Sequence, residues 1–181
     1  MSEHESDLTA LEGSAVTTLL ERQLAVEHWL LGATEDRATA RGQWAALDVA
    51  LLSLGGILSA VRAPARMVWS AAGTDELRAV DAHLRKWFDG GAVFMDLHAT
   101  QYYFLVPGST PWPWTDRQFP GVERLGRDHF LGVPAPRLTK PRGRSYWCVP
   151  MDSPGDLCYP DEVVELLKVG RAARALEGGI R

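Results

Sequence analysis

Two acid–imidazole pairs, two thiols and one basic run free of acids are the residues of this chain whose types and spacing could do chemistry. Asp96 and His98 stand at alternate positions in MDLH, where an extended backbone turns both side chains to one face. A carboxylate beside an imidazole can hold a metal ion or relay a proton. Asp128 and His129 form a second pair ahead of FLGVP. Adjacent residues of a strand face opposite ways, so only one of this pair can share a site with His98. Asp96, His98 and His129 together have the composition of a facial triad. The competing reading makes these four solvated turn residues, a common use of Asp and His. Cys148 and Cys158 form no C-x2-4-C hook for zinc, and Cys148 sits in an aromatic run where a thiol packs as a small hydrophobe. No metal or other cofactor is expected.

From His129 to Met151 the chain carries Arg137, Lys140, Arg142 and Arg144 and no acid, with Tyr146 and Trp147 close behind. Cationic heads beside exposed rings are the makings of a single-strand nucleic-acid surface, charge for phosphate and rings for bases. Trp112 and Trp114 in the run PWPW would add stacking area. The alternative is a solvated connecting loop with Tyr146 or Trp147 in the core. Gly55-Gly56 and Gly90-Gly91 lack the G-x-x-x-x-G-K pattern of a phosphate loop, and no G-x-S-x-G elbow occurs.

The elements that must position these residues follow from periodicity and punctuation. Val16, Leu19, Leu20, Val26, Trp29 and Leu30 recur at three- and four-residue steps and predict a helix over 14–31. A second helix is expected over 36–54, with Trp44, Leu47, Ala50, Leu51 and Leu54 on one face and Gly55-Gly56 ending it. Ile57 to Val61 reads as a strand, and Pro64 then opens a short helix through Ala72. Thr74 is the expected N-cap of a helix that turns Leu77, Val80, Leu84 and Trp87 inward. Strands are predicted at 92–95, 101–106, 129–133 and 146–149, all in one antiparallel sheet, from runs such as QYYFLV and SYWCVP. A last helix starts at Pro160. The fold class is α+β: N-terminal helices, then a small antiparallel sheet with helices packed on it.

A chain of 181 residues with 46% hydrophobic residues can bury a sizeable core. The net charge of −4 belongs to one end. Residues 1–12 hold Glu3, Glu5, Asp7 and Glu12 and no Lys or Arg, so the other 169 balance 19 acids against 19 bases. Residues 1–12 are expected to form a disordered acidic tail ahead of a single domain over 13–181. A neutral body gives no global electrostatic pull on nucleic acid. The acidic start is unlike a signal peptide, and the longest apolar stretch, 45–60, is interrupted by Asp48, Ser53 and two Gly, so no membrane partner is expected. Two cysteines do not make a disulfide framework, which points to the cytoplasm.

Three pieces in order, GGILSAVRAPARMVW, DGGAVFMDLHATQYYFLVPGST, and LGRDHFLGVP with YWCVP, carry a resemblance. Over roughly residues 55–170 the chain resembles a group of uncharacterised actinobacterial proteins that are similar to prim-pol domains, the bifunctional DNA primase/polymerases. Such enzymes use a D-x-D or D-x-E pair, a later His and a third acid. This chain has Asp96 and His98 but no second carboxylate at that spacing, so the resemblance implies the fold without the polymerase. The first expectation is therefore a non-catalytic accessory module that contacts single-stranded nucleic acid. A second is an interaction protein, homodimeric through helices that carry Trp29, Leu30, Leu31 and Trp44. A third is a metal-dependent enzyme using Asp96 and His98.

Overall fold

The computed structural model describes residues 18–112, 114–115 and 117–179. The tail expected at 1–12 and the start of the first helix lie outside them. Helix α1 (residues 18–30) runs into a 3-10 turn, Leu31–Ala33. Helix α2, Arg37–Leu47, begins at an Asp36 cap whose carboxylate accepts from the Thr39 backbone N–H at 2.9 Å. It stops at Asp48, which takes a left-handed conformation at φ 62°. The helix expected over 36–54 is thus corrected at its second half. Val49–Ser53 is strand β1, in which Ala50 and Leu52 are buried and Leu51 is exposed. A run such as ALDVALLSL satisfies both helical and extended spacing, and the left-handed turn at Asp48 decides for the strand.

The remaining elements are β2 (Leu58–Pro64), α3 (Ala65–Ala72), α4 (Leu77–Trp87), β3 (Ala92–Asp96), β4 (Gln101–Pro107), β5 (Glu123–Leu125), β6 (Phe130–Pro134), β7 (Ser145–Val149) and α5 (Pro160–Gly178). Glu76, rather than Thr74, caps α4: its carboxylate accepts from the N–H groups of Arg78 and Ala79, while the Thr74 hydroxyl accepts from Glu76 one step earlier. Five strands form an antiparallel sheet in the order β5-β2-β4-β3-β7. Strand β6 is not among them, which corrects the single sheet expected for 129–133. It pairs with β1 as a separate two-stranded ribbon, Leu51 opposite Gly132 and Leu52 opposite Leu131.

The pleat sorts the core into two. Val61, Met95, Tyr102, Phe104 and Tyr146 face one way and meet α3, α4 and α5. Ala60, Phe94, Tyr103, Leu105 and Trp147 face the other way and meet α1, α2 and the inner side of the ribbon. Within the first layer α5 lies tight on α3: a Cβ on Gly170 would stand 2.2 Å from the Met67 carbonyl oxygen, so only glycine allows that approach. In the second layer, Leu19, Leu20 and Leu24 of α1 are exposed, against the inward face expected for Leu19 and Leu20. No helix among the described residues is long and apolar enough to cross a membrane.

Candidate functional site

Arg62 is the one charged residue of strand β2 and marks the polar end of the sheet's second face. Its guanidinium pairs with Glu123 of β5 at 2.5 Å, and Tyr103 is its direct cross-strand neighbour on β4. Burial pushes the Tyr103 phenol above its usual range, with the Arg62 contact pulling the other way. Phe94 stacks on Tyr103 with ring centroids 4.8 Å apart. These side chains floor a cleft of about 410 Å³. His129, Phe130 and Leu131 wall it from the ribbon, and Asp96, Arg144 and Ser145 close its end.

That end has a definite register. Asp96 lies directly between Gln101 of β4 and Ser145 of β7, so the three side chains share one face. The Leu97 N–H donates to the Arg144 carbonyl at 2.8 Å and ties Arg144 beside them. Asp96 Oδ1 accepts from the N–H groups of His98 and Ala99, each at 2.9 Å, and holds the β3–β4 turn. Ser145 is only 6% exposed, and its Oγ is buried with no hydrogen-bond partner among the described residues; Gln101 Oε1 is in the same condition. Arg144 is exposed, and its guanidinium makes no ion pair among the described residues.

Of the sequence candidates, Asp96 and His129 reach this cleft. His98 stays in the exposed turn and Asp128 in an exposed left-handed position at φ 69°. His129 Nδ1 is 3.1 Å from the Arg127 carbonyl. Among the described residues no three His, Cys, Asp or Glu side chains come together as metal ligands would. Cys148 and Cys158 are both free and buried, and burial raises both thiols, Cys158 to about 12.

The basic run divides. Arg137 pairs with Asp48 at 2.6 Å and donates to the Trp44 carbonyl at 3.2 Å, so it fastens the loop to the end of α2. Lys140, Arg142 and Arg144 are exposed. The rings expected to stack bases are corrected. Tyr146 is fully buried and donates to Asp81 Oδ1 at 2.9 Å. Trp114 is 4% exposed and packs edge-on against Trp112 and Phe119. Trp112 is half-buried on the same core, with Arg124 above its ring at 6.0 Å. That core lies on the opposite face of the sheet from Leu138 and the basic loop. The exposed ring at the cleft is Phe130 instead.

No family model, curated protein or solved structure matches this chain.

Sequence reasoning missed Arg62, Tyr103, Glu123 and Ser145. One signal was available for the first: a lone charge inside an apolar strand needs a partner. A larger hollow of about 580 Å³ lies between α4 and α5, beside His83, Trp87 and Glu162. Its lining residues are all half-buried or exposed, although His83 Nε2 and Glu162 Oε2 are also buried there without a hydrogen-bond partner among the described residues; the cleft differs in containing Ser145, a residue almost wholly withdrawn from water.

Proposed function

We propose that this chain is a binding protein and that the cleft between the sheet and the β1–β6 ribbon takes a small polar ligand. The observation that carries the reading is the Ser145 hydroxyl, buried at the cleft's end without a hydrogen-bond partner. Leaving such a group unsatisfied costs about 1–3 kcal/mol, which a ligand restores once rotation about the Ser145 Cα–Cβ bond turns the hydroxyl into the cleft. The volume lies in the ordinary range for small-molecule sites, and the accessible lining is mostly polar, which suits a polar ligand. The test is a screen of small polar fragments by amide chemical-shift mapping. Binding that shifts Asp96, Tyr103 and Ser145 together, and that weakens in Ser145→Ala, supports the site. A library that leaves these three amides unmoved retires it.

The three cations of the 140–144 loop, in no ion pair among the described residues, favour a second reading, contact with single-stranded nucleic acid. Lys140, Arg142 and Arg144 have no acid beside them in the chain and stand exposed. Fluorescence anisotropy with a labelled oligonucleotide, at several salt concentrations, compares wild type with K140A/R142A/R144A. The log–log salt slope is expected to become shallower by up to about two units, at roughly 0.7 per phosphate contact. Arg137 is left out because it holds Asp48. Equal binding by the two proteins excludes the loop.

A further inference from the structure

The charges of the cleft sort themselves into two that neutralise each other and two that pair with no opposite charge among the described residues. Arg62 and Glu123 cancel each other in a direct ion pair. What remains at the cleft's end is one cation, Arg144, and one anion, Asp96, and neither is in an ion pair with any described residue. They are held side by side: the backbone of Arg144 bonds to Leu97, and Ser145 is the direct cross-strand neighbour of Asp96. The hydroxyl of Ser145, which follows Arg144 in the chain and stands opposite Asp96 across the strands, can both donate and accept and has no hydrogen-bond partner among the described residues. Phe130, Leu125 and Leu131 give the same cleft an apolar wall.

From this juxtaposition we propose that the ligand is a small zwitterion of the α-amino acid class. Its carboxylate lies on the Arg144 guanidinium, its ammonium on the Asp96 carboxylate, and Ser145 Oγ completes the hydrogen bonding at one of them. The apolar wall takes the side chain. A simple anion satisfies Arg144 and leaves Asp96 facing it with like charge; a simple cation does the reverse. Only a ligand that carries both charges answers both groups, because each unpaired charge left in a partly desolvated site weakens binding.

The proposal rests on the cleft being a ligand site, and the experiment separates the two. The full chain is titrated with the twenty common α-amino acids, and with 4-methylpentanoate and 3-methylbutylamine, the two half-molecules of leucine. Amide shifts at Asp96, Tyr103 and Ser145 are the readout. At least one amino acid with an apolar side chain is expected to bind there. Each half-molecule is expected to bind about tenfold more weakly or worse, the loss of one charge-assisted hydrogen bond. Arg144→Gln and Asp96→Asn should each lose binding by a similar factor. Asn keeps the turn-capping oxygen, and unchanged thermal unfolding of both variants shows that the fold is intact. If no amino acid moves the three amides while fragments of another charge pattern do, the zwitterion assignment falls and the site stands. If half-molecules bind as tightly as the whole, the assignment also falls. If nothing in either set moves them, the site falls as well.

Discussion

At the residue scale, the most consequential polar group outside the cleft is Asp81. It is 4% exposed in the middle of α4 and takes a hydrogen bond from Tyr146, itself completely buried. Burial raises its carboxyl above the ordinary carboxylate value, with Tyr146 and Arg85 pulling it down again. A carboxyl raised in the folded state holds its proton there when the unfolded chain has already released it. The folded chain therefore binds more protons from the ordinary value upward to the raised one, and stability falls as pH rises through that window. Asp81→Asn removes the titration and keeps an oxygen for Tyr146. The difference in melting temperature, wild type minus variant, is expected to decline as pH climbs from about 3.8 and then level off. A difference independent of pH would contradict the burial of this carboxyl.

At the scale of elements, the fate of residues 49–53 separates two structures that the same letters allow. As a helix, they would turn Ala50, Leu51 and Leu54 inward together. As a strand, they bury Ala50 and Leu52 and leave Leu51 53% exposed. Leu52→Ala is therefore expected to cost about 2–5 kcal/mol, the range for emptying a fully buried leucine site. Leu51→Ala should stay within about 0.5 kcal/mol, as surface changes do. Chemical denaturation of the two variants measures both. Equal losses would return this segment to a helix. The strand matters beyond itself, because β6 has no partner in the five-stranded sheet and His129 and Phe130 reach the cleft only through the ribbon.

For the whole molecule, the two cores share their strands. Phe94 belongs to one layer and Val93 to the other, as do Tyr103 and Tyr102. Neither layer can melt without exposing the back of the sheet that the other rests on. Heat unfolding is expected to be a single transition, with calorimetric and van't Hoff enthalpies equal within error. Two resolved transitions would show that α1, α2 and the ribbon come away by themselves. The α+β class, the helices over 65–72 and 77–87, and the strands at 92–96, 101–107 and 145–149 were legible in the chain, because local spacing and the residues that break it act within a few positions. Asp96 and His129 were legible as reactive types for the same reason. Their meeting in one cleft was not, nor was the separation of His98 from them, nor the burial of Tyr146 and Trp114. Composition says that a tyrosine or a tryptophan can stack or pack. Which it does depends on what the sheet brings over it from tens of residues away, and only the tertiary structure fixes that. The same holds for Ser145: a hydroxyl in a sequence is ordinary, and only its long-range neighbours leave it buried without a partner.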